Sequence, residues 1–393
     1  MSLQDLRYVR QADVYKASAL VGSLDGESDG SLAFRYIDDY DSAPVASTLP
    51  VEKRKFHGPG GGLPPFFAGL LPEGHRLTVL QRAVKTSLDD ELSLLLAVGA
   101  DVPGDVQVVP AGVPPQEPQA LAAEDPESLN FAELAEAVDG VAIPGVQSKT
   151  SASMVNTPLA LSGRRAILKL DPPEHPHLVV NEAAHLMAAR TMKIPVARAE
   201  VVHDRNGLPG LLVERFDRLR HGDTWSRLAM EDAAQLMGML PAAKYRPSSE
   251  EVVIAVLDHV RAKPVAARNL YLQFLFAWLT GNGDLHAKNI SVVDSDRGFI
   301  VAPMYDWPCT LLYGDDTMAL PVSGRVRRLR ARHWRDFAEA VGLPQTAAKS
   351  ANALALAAAA TVDLTQLPFE GSPLNRALRE LRQRRHELED HRL

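Results

Sequence analysis

Nine consecutive residues, Gly281-Asn-Gly-Asp-Leu-His-Ala-Lys-Asn289, carry the sharpest chemical signal in the sequence. Asp284 and Asn289 stand five positions apart in a glycine-containing loop, and seventeen residues beyond Asn289 a second carboxylate follows in Met304-Tyr-Asp306-Trp. Phosphoryl transfer asks a protein for a carboxylate that orients an attacking hydroxyl and for oxygen ligands that hold Mg²⁺. The Asp-to-Asn spacing is that of a protein-kinase catalytic loop, and Mg²⁺ prefers hard oxygen ligands combined with phosphate. A lone Asp in a Gly-Asn-Gly loop is ordinarily a turn residue. The spacing, the apolar helix before it and Asp306 after it make Asp284 the candidate catalytic carboxylate, with Asn289 and Asp306 as candidate metal ligands.

Weaker candidates precede this loop in the order a kinase would need. Lys169, in Ala166-Ile-Leu-Lys-Leu170, would project from a strand toward nucleotide phosphates. Glu182 lies on the stripe Val179, Ala183, Leu186, Met187 of a helix predicted over 178–192. An inward carboxylate there needs a partner, and Lys169 is the natural one; a first-turn Glu favoured by the helix dipole is the alternative. Glu214, Arg215 and Phe216 leave the next strand as a hinge whose backbone would meet adenine. Val146, Gln147, Ser148 and Lys149, in Ile143-Pro-Gly-Val-Gln-Ser-Lys149, stand where a phosphate-covering loop belongs, although that segment has one glycine.

The elements that must position these residues read as follows. Val14–Leu24 and Ser31–Tyr36 are strand-like, with turn chemistry at 25–30, and a helix is expected around 89–97. The stretch 103–126 holds six prolines and reads as a linker. Strands are expected at 165–170, 196–202 and 211–213, the last two joined through Asn206-Gly207. Beyond Asp217 the chain reads as helical: 231–239, 250–260, 264–280, 345–359 and 375–393. The helix 264–280 is apolar nearly all round and should be buried, ending at Gly281. Gly58–Gly62 runs into Leu-Pro-Pro, so it is not a nucleotide P-loop, and the arginines between 325 and 332 read as a solvated face.

Composition narrows the class. A chain of 393 residues exceeds one compact core. The net charge, 42 − 49 = −7, argues against gripping nucleic acid alone. One cysteine, Cys309, excludes an internal disulfide and fits a reducing compartment. No secretory signal or membrane-spanning stretch is visible, so a cytoplasmic protein is expected.

Taken in order, Leu63-Pro-Pro-Phe-Phe-Ala-Gly-Leu-Leu-Pro-Glu-Gly74, Pro144-Gly-Val-Gln-Ser-Lys-Thr150, Ile167-Leu-Lys-Leu170, Leu212-Val-Glu-Arg-Phe-Asp-Arg218, Asp284-Leu-His-Ala-Lys-Asn289 and Tyr305-Asp306 resemble the HipA-like serine/threonine kinases of toxin–antitoxin systems. The resemblance covers nearly the whole chain. It implies an α+β, protein-kinase-like two-lobed fold with a β-rich N-lobe, an all-helical C-lobe and an extra β-rich N-terminal subdomain. The expected division is a subdomain over 1–110, a proline-rich linker over 111–128 and a kinase domain over 129–393, with the lobes meeting near 217. It further implies ATP and Mg²⁺ as cofactors, with Val146 to Lys149, Lys169, Glu214 to Phe216, His286 and Lys288 at the nucleotide. Asp284 would be catalytic, and Asn289 and Asp306 would hold the metal. A protein Ser/Thr would be the substrate, an aminoacyl-tRNA synthetase being the known kind of target. A HipB-like helix-turn-helix antitoxin would be the partner, with DNA reached only through it and no membrane involved. Members that silence themselves by autophosphorylation carry a serine where this chain has Ala142; Ser148, Thr150, Ser151 and Ser153 are the nearby hydroxyls. Gly283-Asp-Leu-His-x-x-Asn289 also resembles aminoglycoside and choline kinases, and a catalytically silent kinase fold is a third reading.

Overall fold

The computed structural model describes residues 1–117, 125–136, 155–161 and 163–390. Among these residues the N-terminal part forms an antiparallel sheet ordered β4-β3-β2-β1-β5, built from β1 (Gln11–Lys16), β2 (Ala19–Gly26), β3 (Leu32–Tyr36), β4 (Lys55–His57) and β5 (Val106–Pro110). Three helices pack on it: α1 (Pro65–Gly69), α2 (Gly74–Val84) and α3 (Glu91–Val98). They enclose a core of their own, with Phe34, Phe66, Phe67 and Leu95 at its centre. The expected single strand 14–24 is a hairpin instead. Ala17 and Ser18 take positive φ, 47° and 68°, and Lys16 pairs with Ala19, the geometry of a tight two-residue hairpin turn. The proline-rich stretch is also corrected at its start. Val106–Pro110 pairs with β1 and is largely buried, because Pro110 ends the strand rather than interrupting it. Residues 111–117 carry no helix or strand.

The next layer is α4 (Phe131–Glu136) and the sheet β6-β7-β9-β8, formed by β6 (Val155–Ala160), β7 (Arg165–Leu170), β8 (Ala199–His203) and β9 (Pro209–Glu214). Helix α5 (Leu178–Ala189) packs against it. Its buried face carries Leu178, Val179, Glu182 and Leu186, whereas Met187, assigned above to that stripe, is 67% exposed.

The second lobe is mostly but not wholly helical. A hairpin, β10 (Arg218–His221) with β11 (Thr224–Arg227), occupies the point where the chain was expected to turn helical. The expected helix 231–239 is a strand, β12 (Met230–Asp232), capped by Asp232 into a short α6 (Ala233–Leu236). β12 pairs with β13 (Ser291–Val293), which pairs with β14 (Ile300–Val301). Around this small sheet lie α7 (Ser249–His259), α8 (Lys263–Thr280), α9 (Ala331–Ala340), α10 (Gln345–Ala360) and α11 (Gly371–Asp390). Residues Leu270–Thr280 of α8 are buried on every side. Ala351, Ala355 and Ala358 of α10 present small side chains toward the same core, which lets two helices approach closely. No helix among the described residues is long and apolar enough to cross a membrane.

A buried ion network ties the N-terminal sheet to the strand exit after β9. Asp101 accepts from Arg215 at 2.9 Å, Arg218 at 2.7 Å and Arg227 at 3.2 Å. Asp217 accepts from Arg215, Arg218 and the Gly104 N–H. Burial opposes ionisation of both carboxylates, yet the arginines hold both below the usual range. Their stabilising contribution is therefore complete above that range and is lost only as pH falls toward the depressed values. Removing one partner of such a cluster leaves buried charge uncompensated. Asp101→Ala should lower stability by about 3–5 kcal/mol, read as a shifted urea midpoint. Glu200→Ala, at the exposed Arg164 pair, should cost less than about 1 kcal/mol; equal shifts for the two variants would sink this account.

Candidate active site

Lys169 leaves β7 toward the cleft between the lobes, and α5 brings Glu182 up against it. The angle of α5 is fixed at its start, where Asp171 accepts from the N–H groups of His177 at 2.8 Å and Val179 at 2.7 Å. Lys169 Nζ donates to both Glu182 oxygens, at 2.8 and 2.9 Å, and to Asp306 Oδ1 at 2.8 Å. Glu182 is fully buried, so the exposed first-turn alternative does not apply. Burial disfavours the ammonium, but Asp306 and Glu182 outweigh it and raise the Lys169 pKa above its ordinary value.

Asp306 is presented by strained backbone. Its φ is +58°, a left-handed conformation that a non-glycine residue holds only when its surroundings impose it. The imposing contacts are visible. Asn181, one residue before Glu182, donates to the Cys309 carbonyl at 3.1 Å and accepts from the Cys309 N–H at 2.9 Å. That two-way clasp pins the chain just past Asp306 to α5. Cys309 itself is buried.

The loop after α8 turns on two glycines. Gly281 closes the helix at φ +74°, and a Cβ on Gly283 would lie 2.7 Å from Asp315, Thr310 and Thr317 atoms. The Asp284 N–H donates to Asn282 Oδ1 and its carbonyl accepts from Asn289 Nδ2, both at 2.8 Å. This second bond leaves the Asn289 amide oxygen for a cation. The Asp284 carboxylate accepts from Tyr245 O–H at 3.1 Å. Burial, and then the negative charge of Asp306, push its pKa up to about 7. His286 lies 3.9 Å from Asp284 Oδ1; burial and then Lys244 drive its pKa down to about 3, so the ring is neutral.

Lys169, Asn289 and Asp306 share one cleft with Ile167, Val213 and Tyr305. Glu214, Arg215 and Phe216 line the same cleft. The Arg215 guanidinium, however, is spent on Asp101 and Asp217, and its N–H donates to the Arg165 carbonyl at 2.9 Å. The Phe216 ring packs on Tyr305 with centroids 5.7 Å apart. Tyr305 O–H donates to the Lys288 carbonyl at 2.9 Å and accepts from Ser291 at 2.6 Å. Lys288 lines the cleft too, but its ammonium is ion-paired with Glu73 at 2.8 Å and donates to the Gly69 carbonyl at 3.1 Å. Val146 to Lys149 and Ala142 lie outside the described residues.

Sequence reasoning missed Glu73, Lys244 and Tyr245. Glu73 was visible inside the Leu-Leu-Pro-Glu segment, but nothing in that segment points at a loop more than two hundred residues later. Among the described residues no group of three or more His, Cys, Asp or Glu is placed to hold a metal. The Asn289 amide and Asp306 carboxylate nonetheless fit Mg²⁺, which takes one or two protein oxygens and completes its shell with phosphate and water. The assembly pairs a buried cation with carboxylates, sets hard oxygen donors beside it, and adds one carboxylate poised near neutrality.

Comparison with known proteins gives the family. The family model described as HipA N-terminal domain matches residues 12–109, and that described as HipA-like C-terminal domain matches residues 141–362. A Sinorhizobium fredii protein, Y4mE, provisionally named a kinase, is 31% identical over 86% of this chain and 87% of its own length. The Shewanella oneidensis serine/threonine-protein kinase toxin HipA is 27% identical over 85% of this chain and 84% of its own. The solved complex of Shewanella oneidensis HipA with HipB and operator DNA superposes with a TM-score of 0.73 at 20% identity, covering 96% of this chain and 97% of that one. Matched in both halves, in the right order and over a shared kinase-like fold, this chain belongs to the HipA family.

Proposed function

We propose that this protein is an ATP- and Mg²⁺-dependent serine/threonine protein kinase acting as the toxin of a HipBA-type pair. The observation that carries the reading is the cleft lined by Lys169, Asn289 and Asp306, with Glu182 paired to Lys169 from behind and Asp284 bonded to Asn289 within its own loop. Lys169 would hold nucleotide phosphates, its charge kept by Glu182 and Asp306. The backbone of Glu214 to Phe216, with the Ile167 and Val213 side chains, would receive adenine. Asn289 and Asp306 would hold Mg²⁺, which when bound offsets charge developing on the phosphates. Asp284 would orient the incoming hydroxyl and take its proton. A pKa pushed to about 7 by burial and by Asp306 suits proton transfer at neutral pH.

The substrate class is a protein hydroxyl, an aminoacyl-tRNA synthetase being the first to test. A HipB-like helix-turn-helix protein would be the partner and would carry DNA contact, in keeping with a net charge of −7. The cytoplasm is the compartment where both would meet it. Thermal shift with Mg-ATP, followed by transfer of labelled γ-phosphate to protein in cell extract, tests the activity; stabilisation without transfer would favour a silent fold, and transfer only to small molecules the aminoglycoside-kinase-like reading.

Two further outcomes are expected. Lys169→Ala and Asp306→Asn should each weaken Mg-ATP binding by about 10- to 100-fold, the scale of one lost charge-assisted contact. Calorimetry giving wild-type affinity for both would remove the site assignment. Asp284→Asn should keep the fold and most nucleotide affinity, because its role lies in the transition state. Its phosphate transfer should fall by about 10² or more, and a folded, ATP-binding variant with near wild-type transfer would refute the mechanism.

A further inference from the structure

The N-terminal unit reaches the catalytic loop through one side chain. Glu73 follows α1 in Leu70-Leu-Pro-Glu73 and is 6% exposed. Its two oxygens divide between two buried lysines: Oε2 accepts from Lys244 at 2.6 Å, and Oε1 faces Lys288 at 2.8 Å. Both lysines belong to the structure around Asp284. Lys288 lies inside the loop, between Asp284 and Asn289. Lys244 grips the same loop by its backbone, its carbonyl accepting from the Ala287 N–H at 3.2 Å. The next residue, Tyr245, donates to the Asp284 carboxylate and sets its ring edge-on to His286. The Gly69 carbonyl at the end of α1 gives Lys288 a second partner from the same unit.

We propose that Glu73 is a positioning residue of the catalytic loop, so that the N-terminal unit completes the active site instead of merely packing beside it. The inference rests on the kinase reading of the cleft. Two ammonium groups held at 5% exposure or less repel each other and cannot be solvated, so they stay together only around a shared counter-charge. Burial alone would raise the Glu73 pKa, but Lys288 and Lys244 bring it down to about 2; the shared charge is therefore permanent at physiological pH. With it in place, Lys244 and Lys288 stay together and Tyr245 is held at Asp284. Without it, Lys244 and Lys288 repel each other and Tyr245 loses its register against Asp284. Docking of the unit does not depend on this residue alone. The Asp101 network and the bonds from Ser47 to Glu231 and from Gln235 to the Phe66 carbonyl hold it elsewhere. Glu73 is the contact that bears on the reacting groups.

The test uses the full-length chain, Mg-ATP, and labelled γ-phosphate transfer to protein in cell extract. Glu73→Gln should bind Mg-ATP as wild type does while its turnover falls about 10- to 100-fold, the penalty of an ångström-scale misplacement. Glu73→Asp, which keeps the charge, should recover part of the loss. Should Glu73→Gln not fold, Glu73→Gln with Lys244→Gln removes one buried charge of each sign and carries the same expectation. Unchanged turnover in a folded variant, or a loss confined to nucleotide affinity, would overturn the proposal. Failure of wild-type protein to transfer phosphate at all would instead strike the kinase reading.

Discussion

Three lysines lie buried around one cleft, and each must find its counter-charge from a distant part of the chain. Lys169 takes Glu182 and Asp306; Lys244 and Lys288 share Glu73. An unpaired buried ammonium would lose its proton or open the structure, so these pairings dictate where whole elements sit. Helix α5 must lie against β7 to deliver Glu182. The segment through Asp306 must return to the same point. The end of α1 must reach under the catalytic loop. The geometry of the site is the geometry in which these charges are all satisfied.

That constraint explains why the backbone departs from regularity where it does. Asp306 accepts a left-handed conformation because Lys169 draws its side chain from one side while Asn181 clasps Cys309 on the other. Gly283 is a glycine because the loop bearing Asp284 is pressed against Thr310, Asp315 and Thr317. Behind it stands the buried stretch Leu270–Thr280 of α8, which gives the loop a firmly packed root. Strain at the candidate site is sustained by packing that surrounds it.

Much of this was legible in the sequence, and the reasons are local. A five-residue Asp-to-Asn spacing, a strand ending at Lys169 and an all-apolar helix closed by Gly281 are each written in short stretches. Glu182 was legible as an oddity, a carboxylate on an apolar stripe, and its full burial shows why the oddity mattered. Other features left no local mark. The β1–β2 turn uses Ala17 and Ser18, neither a residue that advertises positive φ. Val106–Pro110 was hidden by neighbouring prolines that sit at its ends. Met230–Asp232 followed the helical pattern of its own residues but was claimed by pairing with Ser291–Val293, a partner some sixty residues on. The Glu73–Lys244 bond spans 171 positions, and no period or motif connects its ends.

The same long-range contacts bear on how the lobes can move. The N-terminal unit holds the chain at two points beside the cleft: at Arg215 and Arg218, through Asp101, and at Lys288, in the loop after α8, through Glu73. A body bonded to both ends of a hinge restrains it. Opening the cleft by rotating the β-rich lobe about 214–217 would have to carry Asp217 away from Gly104 or drag the N-terminal unit off Lys288. Either movement exposes buried charge. The lobes are thereby held near one relative orientation by contacts within a single chain.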